Sequence, residues 1–372
     1  MNYTERNAEL NKLFSIDKAS IIETPYAHIS FFPFNSQSEF SSDIYRARND
    51  EDKLIDENLH FSYPVFMPPC MLRAESAILL LHGLNERSWS KYLAWAEYLC
   101  HNTKRPVILF PLAFHINRAP KSWSNPKDLA DMFHLRRQLS NNDRLVSVAN
   151  VTLSTRITEN PHRFYSSGRQ SIADVCNLME HITGGQHPFF RPNTTIDIFA
   201  YSIGGFLAEI ALMANPRNLF AKTKLFLFCG GGIFSSMQGK SRGILDSNAF
   251  ETLRSYFMHD FSSSIYRYNH DDIDRAFDAM IDAERNQLSR ESFFSKLGNR
   301  IKGIALSNDM VIPYKGILQA LGLDYASKQI TQLDFPYPYT HENPFPSALD
   351  TYKQKVNDSF DAVFSQAALF FK

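Results

Sequence analysis

Thr194–Asn215 reads TTIDIFAYSIGGFLAEIALMAN. An apolar run at Ile196, Ile198 and Phe199 enters the turn Ala200-Tyr201-Ser202-Ile203-Gly204-Gly205. A second apolar run follows at Phe206, Leu207, Ile210, Leu212 and Met213. The spacing predicts a strand, a sharp reversal and a helix, with Ser202 at the apex. Such a reversal forces its central residue into strained backbone and presents its side chain outward. Residues two before and two after the apex must then be small, which Ala200 and Gly204 are. Gly205 lets the helix pack closely on its strand, and the first helical turn points free N–H groups at negative charge developing beside Ser202.

Gly239-Lys240-Ser241-Arg242-Gly243 matches the literal G-x-S-x-G string better. Its context is wrong for a nucleophile. Ser235, Ser236, Met237 and Gln238 precede it, which is loop composition rather than a buried strand. Ser241 is therefore read as a surface loop serine, and Ser202 as the candidate.

Composition narrows the classes around that candidate. The 372 residues carry 39 Lys+Arg and 39 Asp+Glu, so net charge offers no electrostatic reason to expect nucleic acid or an anionic membrane as partner. Cys70, Cys100, Cys176 and Cys229 lie far apart with no C-x-x-C pair, and read as free thiols. The start MNYTERNAELNKLF has no apolar signal core, and no apolar stretch approaches the roughly 18 residues of a membrane helix. A soluble, cytoplasmic protein is the expectation. With 31 Phe and 16 Tyr, the expectation is an aromatic core, with a greasy acyl or aromatic pocket as the sharper alternative.

Along the chain, residues 1–70 read as an N-terminal extension: a helix near Glu5–Phe14, then edge strands at His28–Phe34 and Leu59–Phe66. Asn35-Ser36-Gln37-Ser38 and Arg48-Asn49-Asp50-Glu51 punctuate it. From Ala77 short apolar strands alternate with helices. The strands are Ala77–Leu81, Pro106–Leu112, Thr195–Ala200, Lys224–Cys229, Ile301–Leu306 and Ile330–Leu333. The helices include Ser90–Cys100, Ser171–Ile182 and Gly205–Ala214, and Asp350–Phe371 closes the chain. Strands apolar on both faces between amphipathic helices predict a mostly parallel α/β sheet covered on both sides. That core is read as 71–229 and 299–372. Residues 230–298 read as a helical lid inserted over the carboxyl ends of the strands, where ligands bind in such sheets.

A serine hydroxyl needs a base to take its proton and an acid to orient that base. In an open α/β sheet these follow in the order serine, acid, histidine, from loops at later strand ends. Only His259, His270 and His341 come after Ser202, and the first two fall in the lid. His341, in Thr340-His341-Glu342-Asn343-Pro344, is the candidate base. Asp309, directly after Ile301–Leu306, is the candidate acid. Neighbouring Asn308 cannot hold the required charge, and Glu342 is a weaker substitute. The oxyanion donors are read as the Ile203 N–H, next to the nucleophile, and the Leu84 N–H, in the loop His82-Gly83-Leu84-Asn85. His82 precedes Ser202 at a strand end and reads as a brace for that loop. Trp89 reads as core.

Together, HGLN at His82–Asn85, AYSIGG at Ala200–Gly205, Asp309 after its strand and the late His341 resemble the α/β-hydrolase superfamily. The resemblance spans roughly Ala77–Lys372, apart from the insertions. It implies an eight-stranded sheet, a Ser–Asp–His triad and no cofactor or metal. Ala200 in place of Gly, the extended Phe114–Arg118 segment and the N-terminal portion depart from the pattern and leave the subfamily and substrate open. His115, Asn117 and Arg118 follow a strand and should face the same end. They read either as a substrate-binding subsite, with Arg118 gripping a carboxylate or phosphate, or as ties for a long loop. The function implied is cleavage of a small-molecule ester, thioester or amide through an acyl-enzyme. Carboxylesterase- or lipase-like chemistry is the first choice, and its rival is a non-catalytic scaffold of the same fold that binds a small molecule or a protein partner.

Overall fold

A computed structural model describes residues 2–17, 20–36, 50–265 and 271–372. His270 and the Gln37-Ser38 and Arg48-Asn49 punctuation lie outside these. Among the described residues nine strands form one sheet: β1 (Ile22–Glu23), β2 (His28–Asn35), β3 (His60–Met67), β4 (Ala74–Leu81), β5 (Val107–Leu109), β6 (Phe190–Tyr201), β7 (Leu225–Phe228), β8 (Ile301–Leu306) and β9 (Ile330–Leu333). Their spatial order is β1-β2-β3-β5-β4-β6-β7-β8-β9. β1, β2 and β3 pair antiparallel at one edge, β3 joins β5 antiparallel, and the remaining pairs are parallel. This is the α/β-hydrolase fold, carrying one short edge strand beyond the eight expected.

The strand period of two divides the core into two faces. Ile196, Ile198 and Ala200 of β6 and Leu225 and Leu227 of β7 pack on one side, under the helices His162–Thr183 and Ile203–Ala214. Phe199, Tyr201, Phe226 and Phe228 pack on the other, under Leu93–Thr103 and the closing helix Lys353–Phe371. The second face absorbs much of the aromatic excess. Trp95 alone meets Tyr92, Phe199, Tyr201, Phe228, Phe345 and Phe364. The N-terminal helix Tyr3–Leu13 seals this layer through Arg6, whose guanidinium bonds both oxygens of the fully buried Glu97 at 2.5 and 2.7 Å.

Among the boundaries that differ from expectation, such as Phe190–Tyr201 for the strand expected at Thr195–Ala200 and Leu93–Thr103 for the helix expected at Ser90–Cys100, two have a plain physical reason. The expected strand Pro106–Leu112 shortens to Val107–Leu109, between two prolines that cannot donate to a ladder. The helix expected from Ser171 begins at His162. Its first turns are built of Arg163, Ser166 and Gln170, polar residues whose burial is bought by pairing, as in Arg163 Nε to Asp52 at 2.9 Å.

The segments after β5 and after β7 interlock above the carboxyl ends of the strands. Arg136, on the helix Ala130–Leu139, bonds both oxygens of Asp246, which in turn caps the helix Ser247–Ser255. Asn150 donates to the Ser241 carbonyl at 2.9 Å, and Ser147 to the Arg242 carbonyl at 2.5 Å. The literal G-x-S-x-G stretch is thus a loop, its Ser241 hydroxyl accepting from the Gly243 and Ile244 N–H groups. Among the described residues no helix is long and apolar enough to cross a membrane.

Candidate active site

Ser202 sits between β6 and its helix at φ 56° and ψ −126°, the strained geometry the turn demands. Two glycines make the turn possible. A Cβ at Gly204 would lie 2.7 Å from the Leu81 carbonyl oxygen, and one at Gly230 would lie 2.9 Å from the Ser202 carbonyl oxygen. The Ser202 N–H donates to the Phe228 carbonyl at 3.3 Å, tying the apex to β7.

The other two candidates meet it there. The Ser202 Oγ lies 2.7 Å from His341 Nε2, and His341 Nδ1 lies 2.8 Å from Asp309 Oδ2. All three residues are buried, at 5, 4 and 4% exposure. Asp309 follows β8 directly, and its Oδ1 accepts from the Val311 and Ile312 N–H groups, both at 2.9 Å. The carboxylate is therefore clamped on one oxygen and free to orient the imidazole with the other. His341 is carried on the proline-rich loop after β9. Its ring stacks on Tyr201, centroids 5.5 Å apart, and the Tyr201 hydroxyl donates to its backbone carbonyl. Sequence reasoning missed Tyr201, because adjacency to Ser202 does not reveal that a strand points it to the opposite face. It also missed Cys229, whose thiol lies against Asp309 and is pushed up, chiefly by burial.

Leu84 and Ile203 line one cavity with Ser202, of about 40 Å³, walled by Phe234, Ile244, Phe250 and Leu253. Behind the loop, His82 Nδ1 donates to the Gly83 carbonyl at 2.8 Å while Nε2 accepts from the Leu112 N–H at 2.9 Å. Burial pushes this imidazole well below its ordinary value. A neutral ring bonded on both nitrogens has no proton to exchange, so His82 braces the loop. Gly83 donates to the Tyr92 hydroxyl at 3.0 Å, and that hydroxyl donates to Glu86 at 2.7 Å.

His115, Asn117 and Arg118 separate from one another. His115 lines the cavities beside Leu84, bonded to the Ala113 carbonyl at 2.8 Å, and burial lowers its basicity. Asn117 donates to the Ser62 carbonyl at 2.8 Å. Arg118 is fully buried, stacked on Phe61 at 4.3 Å and bonded to Asp174 at 2.7 Å and to the Asn58 and Pro111 carbonyls. In this arrangement it ties the long segment to the start of β3 and to the helix His162–Thr183, and its guanidinium is committed to Asp174. Arg118→Met should lower the unfolding free energy by about 3–5 kcal/mol, because it strands a buried carboxylate. Denaturant titration of both proteins measures this.

The serine helix hides one further titratable group. Glu209 is fully buried, and neither carboxylate oxygen has a hydrogen-bond partner among the described residues. Gly231 makes room for it, since a Cβ there would stand 2.7 Å from Oε1. Burial raises its pKa well above the ordinary value, against a lowering pull from Arg290. The folded state thus holds the proton at pH values where the unfolded chain has lost it. Stability is then highest below the ordinary carboxylate pKa and falls as pH rises toward the raised folded value. Glu209→Gln should increase Tm at pH 7–8 and change it little near pH 4, which calorimetry across that range tests.

Residues 41–372 match the model of a family described as "Family of unknown function (DUF6051)". No curated protein matches the sequence. Among solved structures, carboxyl esterase 2 from the mycorrhizal fungus Tuber melanosporum is similar at 10% identity and TM-score 0.49, over 99% of this chain and 96% of that one. An esterase from Pyrobaculum calidifontis is similar at 12% identity and TM-score 0.45, over 100% and 90%. A vibralactone cyclase is similar at 12% identity and TM-score 0.44, over 100% and 86%.

Proposed function

We propose that this chain, which belongs to the DUF6051 family, is a serine hydrolase that cleaves an ester, thioester or amide through an acyl-enzyme, with carboxylesterase chemistry first. The observation that carries the reading is the unbroken hydrogen-bond chain from Asp309 through His341 to Ser202. Ser202 Oγ attacks the substrate carbonyl as its proton passes to His341 Nε2. Asp309 holds the Nδ1–H and stabilises the imidazolium that forms. The Leu84 and Ile203 N–H groups receive the oxyanion. Collapse breaks the bond to the leaving group, which takes the proton from His341. Water then repeats the sequence on the acyl-enzyme, with His341 as base.

The cavity at Ser202 favours short acyl groups. At roughly 10–15 Å³ of such volume per water-sized occupant, about 40 Å³ admits about three. The insertions after β5 and β7 serve as its lid. A fluorophosphonate probe tests the reading: wild type should be labelled and Ser202→Ala should not. Pure, folded protein that takes no label would instead favour a non-catalytic scaffold.

A further inference from the structure

The serine cavity has a neighbour beyond its apolar wall. Leu84, Phe164, Leu245 and Leu253 separate it from a second cavity of about 60 Å³, and they line both. The far wall of this second space has a different chemistry: Arg87, Arg156 and Arg163 contribute to it, with Trp123 and Phe114. The one carboxylate in the lining, Glu86, is already matched by Lys91 at 2.5 Å and the Tyr92 hydroxyl at 2.7 Å.

The guanidinium groups are not matched as well. Arg163 takes Asp52 at 2.9 Å and Glu159 at 3.0 Å. Arg156 must share Asp52, its Nη2 3.0 Å from Oδ1 while Arg163 Nε holds Oδ2. Arg156 also lies over the rings of Trp123 at 4.3 Å and Phe114 at 5.3 Å. Among the described residues Arg87 donates to the Val148 and Ala149 carbonyls alone. The wall therefore holds one cation more than its carboxylates neutralise. It holds it beside aromatic surface, with the Arg156 side chain 17% exposed.

We propose that this second cavity is a subsite for a carboxylate carried by the ester substrate, with Arg156 as its principal ligand and Arg87 in support. This rests on the serine hydrolase reading of the adjoining site. A guanidinium fork suits a carboxylate because two N–H donors meet two oxygens in one plane. Trp123 and Phe114 suit the stem that joins the anion to the scissile group. At roughly 10–15 Å³ per water-sized occupant, about 60 Å³ admits about four to six, the size of a carboxylate on a short stem. Arg118, which the sequence offered for this role, is committed to Asp174 instead.

Two matched ester pairs test the proposal, because the anion could sit on either side of the scissile bond. Mono-p-nitrophenyl adipate against p-nitrophenyl hexanoate puts it on the acyl side, and 4-acetoxybenzoate against 4-tolyl acetate on the alcohol side. In at least one pair the anionic ester should have the higher kcat/KM, by about tenfold or more. Arg156→Met should reduce that ratio at least tenfold, Arg156→Lys less. Reading a ratio cancels any general loss of activity. Arg87→Gln serves as the second variant should Arg156→Met not fold. A neutral preference in both pairs, or a ratio that no variant moves, overturns the proposal. Calorimetric titration with adipate and 4-hydroxybenzoate separates it from the reading beneath it. If no ester turns over but a carboxylate binds wild type and not Arg156→Met, the hydrolase reading fails and the subsite stands. If none binds either, the subsite fails too.

Discussion

Ser202→Ala is expected to lower kcat for ester hydrolysis by about four to six orders of magnitude, with Tm shifted by no more than a few degrees. The size of the loss follows from the geometry. The Oγ is the atom that would bond to the substrate carbon, and it stands 2.7 Å from the only imidazole that Asp309 orients. Without it, His341 could only activate a water held less well, and the Leu84 and Ile203 N–H groups could only polarise the carbonyl. That residual help keeps the variant above the uncatalysed rate. The fold should survive, because alanine adds no atom. The strained φ of 56° is already carried by a residue with a Cβ, and that Cβ already abuts the Gly83 position. Measured kcat within tenfold of wild type, on protein of unchanged Tm, would remove Ser202 from the chemistry.

What made Ser202 legible in the sequence is that its constraint is local. A nucleophile turn needs small residues at fixed offsets and an apolar strand and helix on either side, all within Thr194–Asn215. Asp309 and His341 were reachable because strand ends and chain order narrow the choice, and Ile301–Leu306 and Ile330–Leu333 read as strands with the boundaries they have. The surroundings were less legible because long-range charge pairing decides them. Arg118 could have faced a substrate until Asp174, on a helix more than fifty residues away, took its guanidinium. The helix from His162 hid its first turns for the same reason: buried Arg163 and Gln170 break the apolar period, and Asp52 and Asn58 satisfy them from the N-terminal segment. Arg156 drew no notice in the sequence. Its significance lies in what it lacks, a carboxylate of its own, and that appears only once the partners of every neighbour are placed.

Asp309→Asn tests the orientation of the base more sharply than any truncation could, and a fall in kcat of roughly 10⁴ is expected, with KM nearly unchanged. The substitution is close to isosteric, so the outcome depends on which way the new amide faces. Val311 and Ile312 both donate N–H groups to Oδ1 at 2.9 Å. An asparagine must keep its oxygen there, since its NH₂ would meet two donors. The amide nitrogen is then directed at His341 Nδ1, where Oδ2 now accepts at 2.8 Å. A donor at that place requires Nδ1 to accept, so the imidazole carries its proton on Nε2, the nitrogen facing Ser202 Oγ. The ring then has no lone pair for the serine proton, and the nucleophile is silenced while every backbone bond around it is retained. Steady-state kinetics with a p-nitrophenyl ester, alongside the Tm of both proteins, measures this. A loss below tenfold would mean that Asp309 does not set the tautomer of His341, and the acid of the site would have to be sought elsewhere.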